Sequence, residues 1–178
     1  KHKIKQKDIV LSSTFHEKLN QKDYFQKKYI IVMPLMHYSQ KVSSHSDKNV
    51  YHTINILKVL NKLNEKNIIL KIKDGNYEVN KIIDLYEKYI SDHGLKNISI
   101  KLGKMENYLT KAKLIIGQCS STIYEARKNN VNYHIYEPYD LGLSVTDIKN
   151  SNLFSRKTIS RNQYELFRNL KKKNKSSI

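Results

Sequence analysis

A chain of 178 residues, 39% of them hydrophobic, suits one domain with a real core, with or without extra arms, and this excludes disorder throughout. The formal charge of +17 is almost wholly lysine, since Arg127, Arg156, Arg161 and Arg168 are the sole arginines; a functional basic surface and the Lys-, Asn- and Ile-rich drift of an A+T-rich genome account for it equally. With Cys119 as the single cysteine there is no internal disulfide, and with no apolar stretch near the roughly 20 residues that span a bilayer the chain is expected in a reducing cytoplasm, at most peripheral on the membrane's inner face.

Lys1 is not a start methionine and KHKIKQKD precedes no signal-like region, so the chain is expected to be a piece of something longer. Residues 1–28 read as a linker or arm holding one short strand, DIVLS at 8–12. YIIVMPL at 29–35 is a continuous β-rich apolar run, the pattern of a strand buried on both faces. After the loop HYSQKVSSHSDKN, apolar residues at 50, 54, 57, 60 and 63 form one stripe of a helix that stops near Asn64. IILKI at 68–72 is a second strand. Val79, Ile82, Ile83, Tyr86, Tyr89 and Ile90 mark a second helix, with Gly94 placed to terminate it.

NISIKL at 97–102 is the third strand, MENYLTKA a short helix, KLIIG at 113–117 the fourth strand, STIYEARKN the next helix and VNYHIYEP at 131–138 the fifth strand. Strands alternating with helices through short connections imply parallel crossover units, hence an α/β fold with a doubly wound, Rossmann-like parallel sheet over 29–140. Residues 141–178 read as a C-terminal helical extension. In it Tyr164, Phe167 and Leu170 recur along one helical face that ends in KKKNK.

Ligands of open α/β sheets bind beyond the carboxyl ends of the strands. That rim collects His37 and Tyr38, Lys73 and Asp74, Gly103 and Lys104, the turn GQCSST at 117–122, and Glu137, Tyr139 and Asp140. The turn is the most informative stretch. Its hydroxyls and free N–H groups stand where a helix begins, and a helix N-terminus offers unpaired donors and partial positive charge to a phosphate. The alternative is that Ser120 or Ser121 merely caps the helix. GQCSST is neither GxGxxG nor a Walker loop.

The stretch LTKAKLIIGQCSSTIYEARKNNVNYHIYEPYD, 109–140, resembles the C-terminal half of CDP-glycerol glycerophosphotransferases and related capsule and teichoic acid transferases of the GT-B fold. The matching residues are Ser120 and Ser121, Ile123 and Tyr124, Glu125 and Ala126, and Tyr136 to Asp140. YIIVMPL and ILKIKDG occupy the places of two upstream family segments. Lys73 and Asp74 stand where the family has His and Pro, so no role passes from that histidine. A similar Ser-Ser or Gly-Gly turn occurs in UDP-N-acetylglucosamine 2-epimerases.

The resemblance implies a domain that binds the diphosphate of a nucleotide-sugar or CDP-polyol donor, serving a polysaccharide or lipid-linked acceptor, with the acceptor domain N-terminal to it and no metal or other cofactor. On that reading Gly117, Ser120, Ser121 and Thr122 meet the phosphates, Glu125 the ribose and Lys71 or Lys73 the diphosphate charge, while Tyr139 and Asp140 line the donor rim. The sequence names no catalytic base, which a two-domain transferase would carry on its other half; His37, at the rim, could act as a general base but stands alone in a polar loop. His45, His52, His93 and His134 show no metal-ligand spacing, and Cys119 has no adjacent base or nucleophile signature. The rivals are a 2-epimerase-like enzyme and a non-enzymatic module binding polyanions. No nucleic-acid motif is present, so nucleic acid is not the expected partner. The basic tail suits an anionic membrane surface or a solvated end.

Overall fold

The strands are short apolar runs set between polar connections, and all of them pair in parallel. The structure is a computed structural model that describes residues 27–35, 47–73, 79–141 and 154–175. β1 (Tyr29–Val32), α1 (Asp47–Lys62), β2 (Ile68–Lys71), α2 (Val79–Asp92), β3 (Ile98–Lys101), α3 (Glu106–Leu109), β4 (Ala112–Gly117), α4 (Ser121–Lys128), β5 (Asn132–Tyr136), β6 (Ile159–Ser160) and α5 (Gln163–Lys175) follow in chain order. The sheet order is β3-β2-β1-β4-β5-β6. Ile31 stands level with Ile69 and Ile115, and Val32 with Leu70 and Ile116.

Because successive residues of a strand face opposite ways, β1 supplies both sides of the molecule. Ile30 and Val32 join the core under α1, α2 and α5, with Leu57, Leu60, Tyr86, Leu166 and Leu170. Ile31 joins Ile115, Ile123 and Ala126 under α3 and α4. Helices on both faces make the fold doubly wound α/β, as expected from the alternation. They also explain why β2 is buried at all four positions whereas the edge strand β3 alternates between half-buried and exposed.

Two features depart from the sequence expectation. Helix α1 is buried nearly all round rather than along one stripe: His52, Thr53, Asn55 and Ile56 are as buried as Ile54 and Leu57. The cause is position, since α2 and α5 flank α1 on the same face and cover its sides. The C-terminal stretch contributes β6 as well as its helix, pairing Ile159 with Ile135 and Ser160 with Tyr136. The strand of 8–12 lies outside the described residues.

Candidate functional site

The strand order puts the topological switch between β1 and β4, because the chain leaves β1 towards β2 and β3 and later returns to β4 on β1's other side. In such sheets the crevice opens at that point on the carboxyl rim. The GQCSST turn leaves β4 there and runs into α4. Gly117 ends the strand, and a Cβ on it would stand 2.6 Å from Met33 Cε and 3.0 Å from Met33 Cβ. Any side chain would therefore displace the methionine that follows β1. Among the rim residues expected from sequence, Gly117 is thus explained by close approach of β1 and β4.

Ser120 takes the extended conformation of an N-cap, with φ −148° and ψ 172°, yet its side chain makes no capping hydrogen bond. Its Oγ is buried and, among the described residues, has no hydrogen-bond partner. Ser121 opens the helix on the exposed side, Thr122 is half-buried, and Glu125 is half-buried one turn further on. Simple capping by Ser120 is therefore not what the turn does. First-turn N–H groups have no carbonyl behind them in the helix, so this end retains donor capacity beside an unused hydroxyl.

One amide of the turn is engaged. Cys119 N–H donates to Glu137 Oε1 at 2.9 Å, and Glu137, at the end of β5, is 1% exposed. Its other oxygen lies 3.6 Å from Arg161 Nη1, which also donates to the Glu137 carbonyl at 3.1 Å. The Arg161 guanidinium stacks over the exposed Tyr139 ring at 4.7 Å. Arginine from beyond β6 thus neutralises a buried carboxylate that ties the turn of β4 to β5. Burial, and then the Glu137 charge, push the Cys119 thiol up, which keeps it protonated and poorly nucleophilic.

A second cluster sits on the same rim. His52 Nε2 lies 2.9 Å from Oδ1 and 3.0 Å from Oδ2 of Asp140, while Lys48 Nζ donates to the Asp140 carbonyl at 3.2 Å. Burial works to raise the Asp140 carboxyl, but the His52 hydrogen bond and charge, with Lys48, prevail and hold it below the ordinary carboxylate value. His52 Nδ1 is buried without a partner among the described residues. Asp140 thereby orients an imidazole that is already inside the fold.

Lys73 is exposed beyond β2, two strands and so about 10 Å across the rim from β4. Lys71 is buried, its Nζ donating at 2.7 Å to the carbonyl of Ile72, so the two lysines do not share an outlook. His37 and Asp74 lie outside the described residues. Sequence reasoning missed Lys48 and Arg161 and weighed His52 only as a zinc ligand. No local pattern marks them, because each acts across the fold. Among the described residues no group of three or more His, Cys, Asp or Glu could hold a metal, and no helix is long and apolar enough to cross a membrane.

No family model matches the chain, and no curated protein or solved structure is significantly similar to it.

Proposed function

We propose that this domain binds the diphosphate of a nucleotide-activated donor, as the donor half of a GT-B-type glycosyl- or glycerophosphotransferase that builds surface polysaccharide. One observation carries the reading: a Ser120 Oγ that is buried and has no hydrogen-bond partner among the described residues, at the N-terminus of α4 and the switch point of a doubly wound sheet. A hydroxyl with no internal partner costs free energy unless something else bonds to it. A phosphate oxygen does so while drawing on the N–H groups and partial positive charge of the same helix end. The resemblance of 109–140 to the transferases supports this reading and supplies the donor class.

Ser120, Ser121 and Thr122 would then stabilise the charge that grows on the leaving diphosphate as its bond to the transferred group breaks. Glu125, one turn along α4, accepts from the ribose hydroxyls. Arg161 serves the site indirectly, since it cancels the Glu137 charge that would otherwise oppose an anion at the turn. Lys73 neutralises the far end of the donor. Tyr139 and Asp140 form the rim beside it, Asp140 through the imidazole it holds. The acceptor is a polysaccharide or lipid-linked chain carried by the remainder of the enzyme.

Isothermal calorimetry with CDP, CMP, UDP and GDP tests the reading. A diphosphate should bind, the monophosphate should bind more weakly, and Ser120→Ala with Ser121→Ala should lower affinity on the order of tenfold or more for two lost hydrogen bonds to a charged group. Absence of binding by any nucleotide, or binding indifferent to both substitutions, refutes it.

A further inference from the structure

Helix α5 has two faces of different chemistry. Leu166 and Leu170 are 0% and 4% exposed, and Asn169 Nδ2 donates to the Ile159 carbonyl at 3.3 Å and to Ser160 Oγ at 3.1 Å, which fixes the helix against β6. At spacings of three and four residues the opposite face presents Tyr164, Phe167, Arg168, Lys171 and Lys172, which line a shallow groove of about 240 Å³. Tyr164 is 72% exposed. The acidic residue of this helix, Glu165, accepts from the Arg161 backbone N–H at 2.8 Å, and no carboxylate lines the groove.

Three cations stand at the rings of this face. Lys62 Nζ, from the end of α1, lies 5.0 Å from the Phe167 centroid, Lys171 Nζ 5.6 Å from the same ring, and Arg168 Cζ 5.9 Å from that of Tyr164. Ring quadrupoles thus gather several positive charges from two helices into one patch.

We propose that this face of α5, with Lys62, docks the protein on an anionic lipid surface. The patch favours lipid over nucleic acid for a physical reason. Single strands bind by stacking successive bases on several free ring faces, but here Phe167 is half-buried against the core with Lys62 and Lys171 at its ring, and Tyr164, with Arg168 beside it, is the one exposed ring of the groove. What faces outward is a row of charges along one helix beside the exposed Tyr164, which matches lipid headgroups: cations meet phosphates while Tyr164 enters the interfacial layer. The inference stands on α5 and Lys62 alone and is independent of the nucleotide reading.

Cosedimentation of the chain with phosphatidylcholine vesicles, with and without phosphatidylglycerol, tests it. Binding should require phosphatidylglycerol and weaken with salt. The triple variant Arg168→Gln, Lys171→Gln, Lys172→Gln should bind on the order of 100-fold more weakly, each charge contributing about fivefold. Tyr164→Ala should weaken binding at constant charge. A variant of equal charge loss around β3, Lys96→Gln, Lys101→Gln, Lys104→Gln, should bind as the unaltered chain does. Unaltered binding by the α5 variant, equal loss in the β3 variant, or equal binding to both vesicle types overturns the assignment. So does tighter binding to a single-stranded oligonucleotide at the same phosphate concentration. The positions changed are exposed, and a thermal melt no lower than that of the unaltered chain confirms that loss of binding is not loss of fold.

Discussion

At the scale of single residues, Glu137 is the most constrained group on the rim. A carboxylate 1% exposed is tolerable because it accepts from Cys119 N–H at 2.9 Å and faces Arg161 at 3.6 Å. Removing the arginine takes from a buried carboxylate the cation beside it, which in proteins costs about 3–5 kcal/mol. Arg161→Met should therefore lower the urea midpoint sharply. The double variant Glu137→Gln, Arg161→Met should regain much of the loss, because the buried charge goes with the carboxylate. A double variant no more stable than Arg161→Met alone would show that the arginine acts through packing on Tyr139. Glu137 was legible as a rim residue but its partner was not: Glu137 and Arg161 are 24 residues apart, and Arg161 alone looks like an ordinary charged loop residue. Gly117, in contrast, was visible as a break between an apolar run and a helix, though its cause, the Met33 side chain, was not.

At the scale of elements, three of the described helices share one ending. In the turns after α1 and α2, Asn64 has φ +56° and Gly94 φ +58°, and after α4 Asn130 has φ +54°. Glu65 N–H reaches the Leu60 carbonyl at 3.1 Å, Leu95 N–H that of Ile90 at 3.0 Å and Val131 N–H that of Ala126 at 2.8 Å. This is the Schellman closure, which needs a left-handed residue just past the helix and so selects Gly or Asn. Gly94 was legible for that reason, whereas the end of α1 near Asn64 was located by where its apolar stripe stops. A Cβ at Gly94 meets nothing within 4 Å, so the cost of Gly94→Ala is backbone strain alone, about 1 kcal/mol. Chemical denaturation should show that loss for Gly94→Ala, together with a small gain for Asn64→Gly. A neutral Gly94→Ala would mean that the turn relaxes out of its left-handed conformation. β6 escaped notice because a strand of two residues has no period to detect.

At the scale of the whole molecule, the fold class followed from alternation, but the strand order did not. Parallel crossovers say that neighbours are joined by right-handed connections, not which side of β1 the chain returns to. That choice sets the switch point, and with it which loops become neighbours: His52 and Asp140, 88 residues apart, meet because α1 and the end of β5 share the rim. Charge is the other global property. With 33 basic side chains against 16 carboxylates the protein carries +17, an excess that no pairing of internal carboxylates removes. Like charges raise the free energy of the folded state more than that of the expanded chain. Screening shortens their reach to about 10 Å at 0.1 M salt and about 3 Å at 1 M. Sodium chloride should therefore raise the urea midpoint over this range, most steeply at low concentration. The exposed pair Lys88–Asp92, 2.7 Å apart, would be weakened by the same salt but contributes little in water. The Arg168→Gln, Lys171→Gln, Lys172→Gln variant, with part of the excess removed, should start higher at low salt and respond less. A midpoint that falls as salt is added would mean that attractive pairs outweigh repulsion, and that the lysines are spaced widely enough for +17 to be no burden on the folded state.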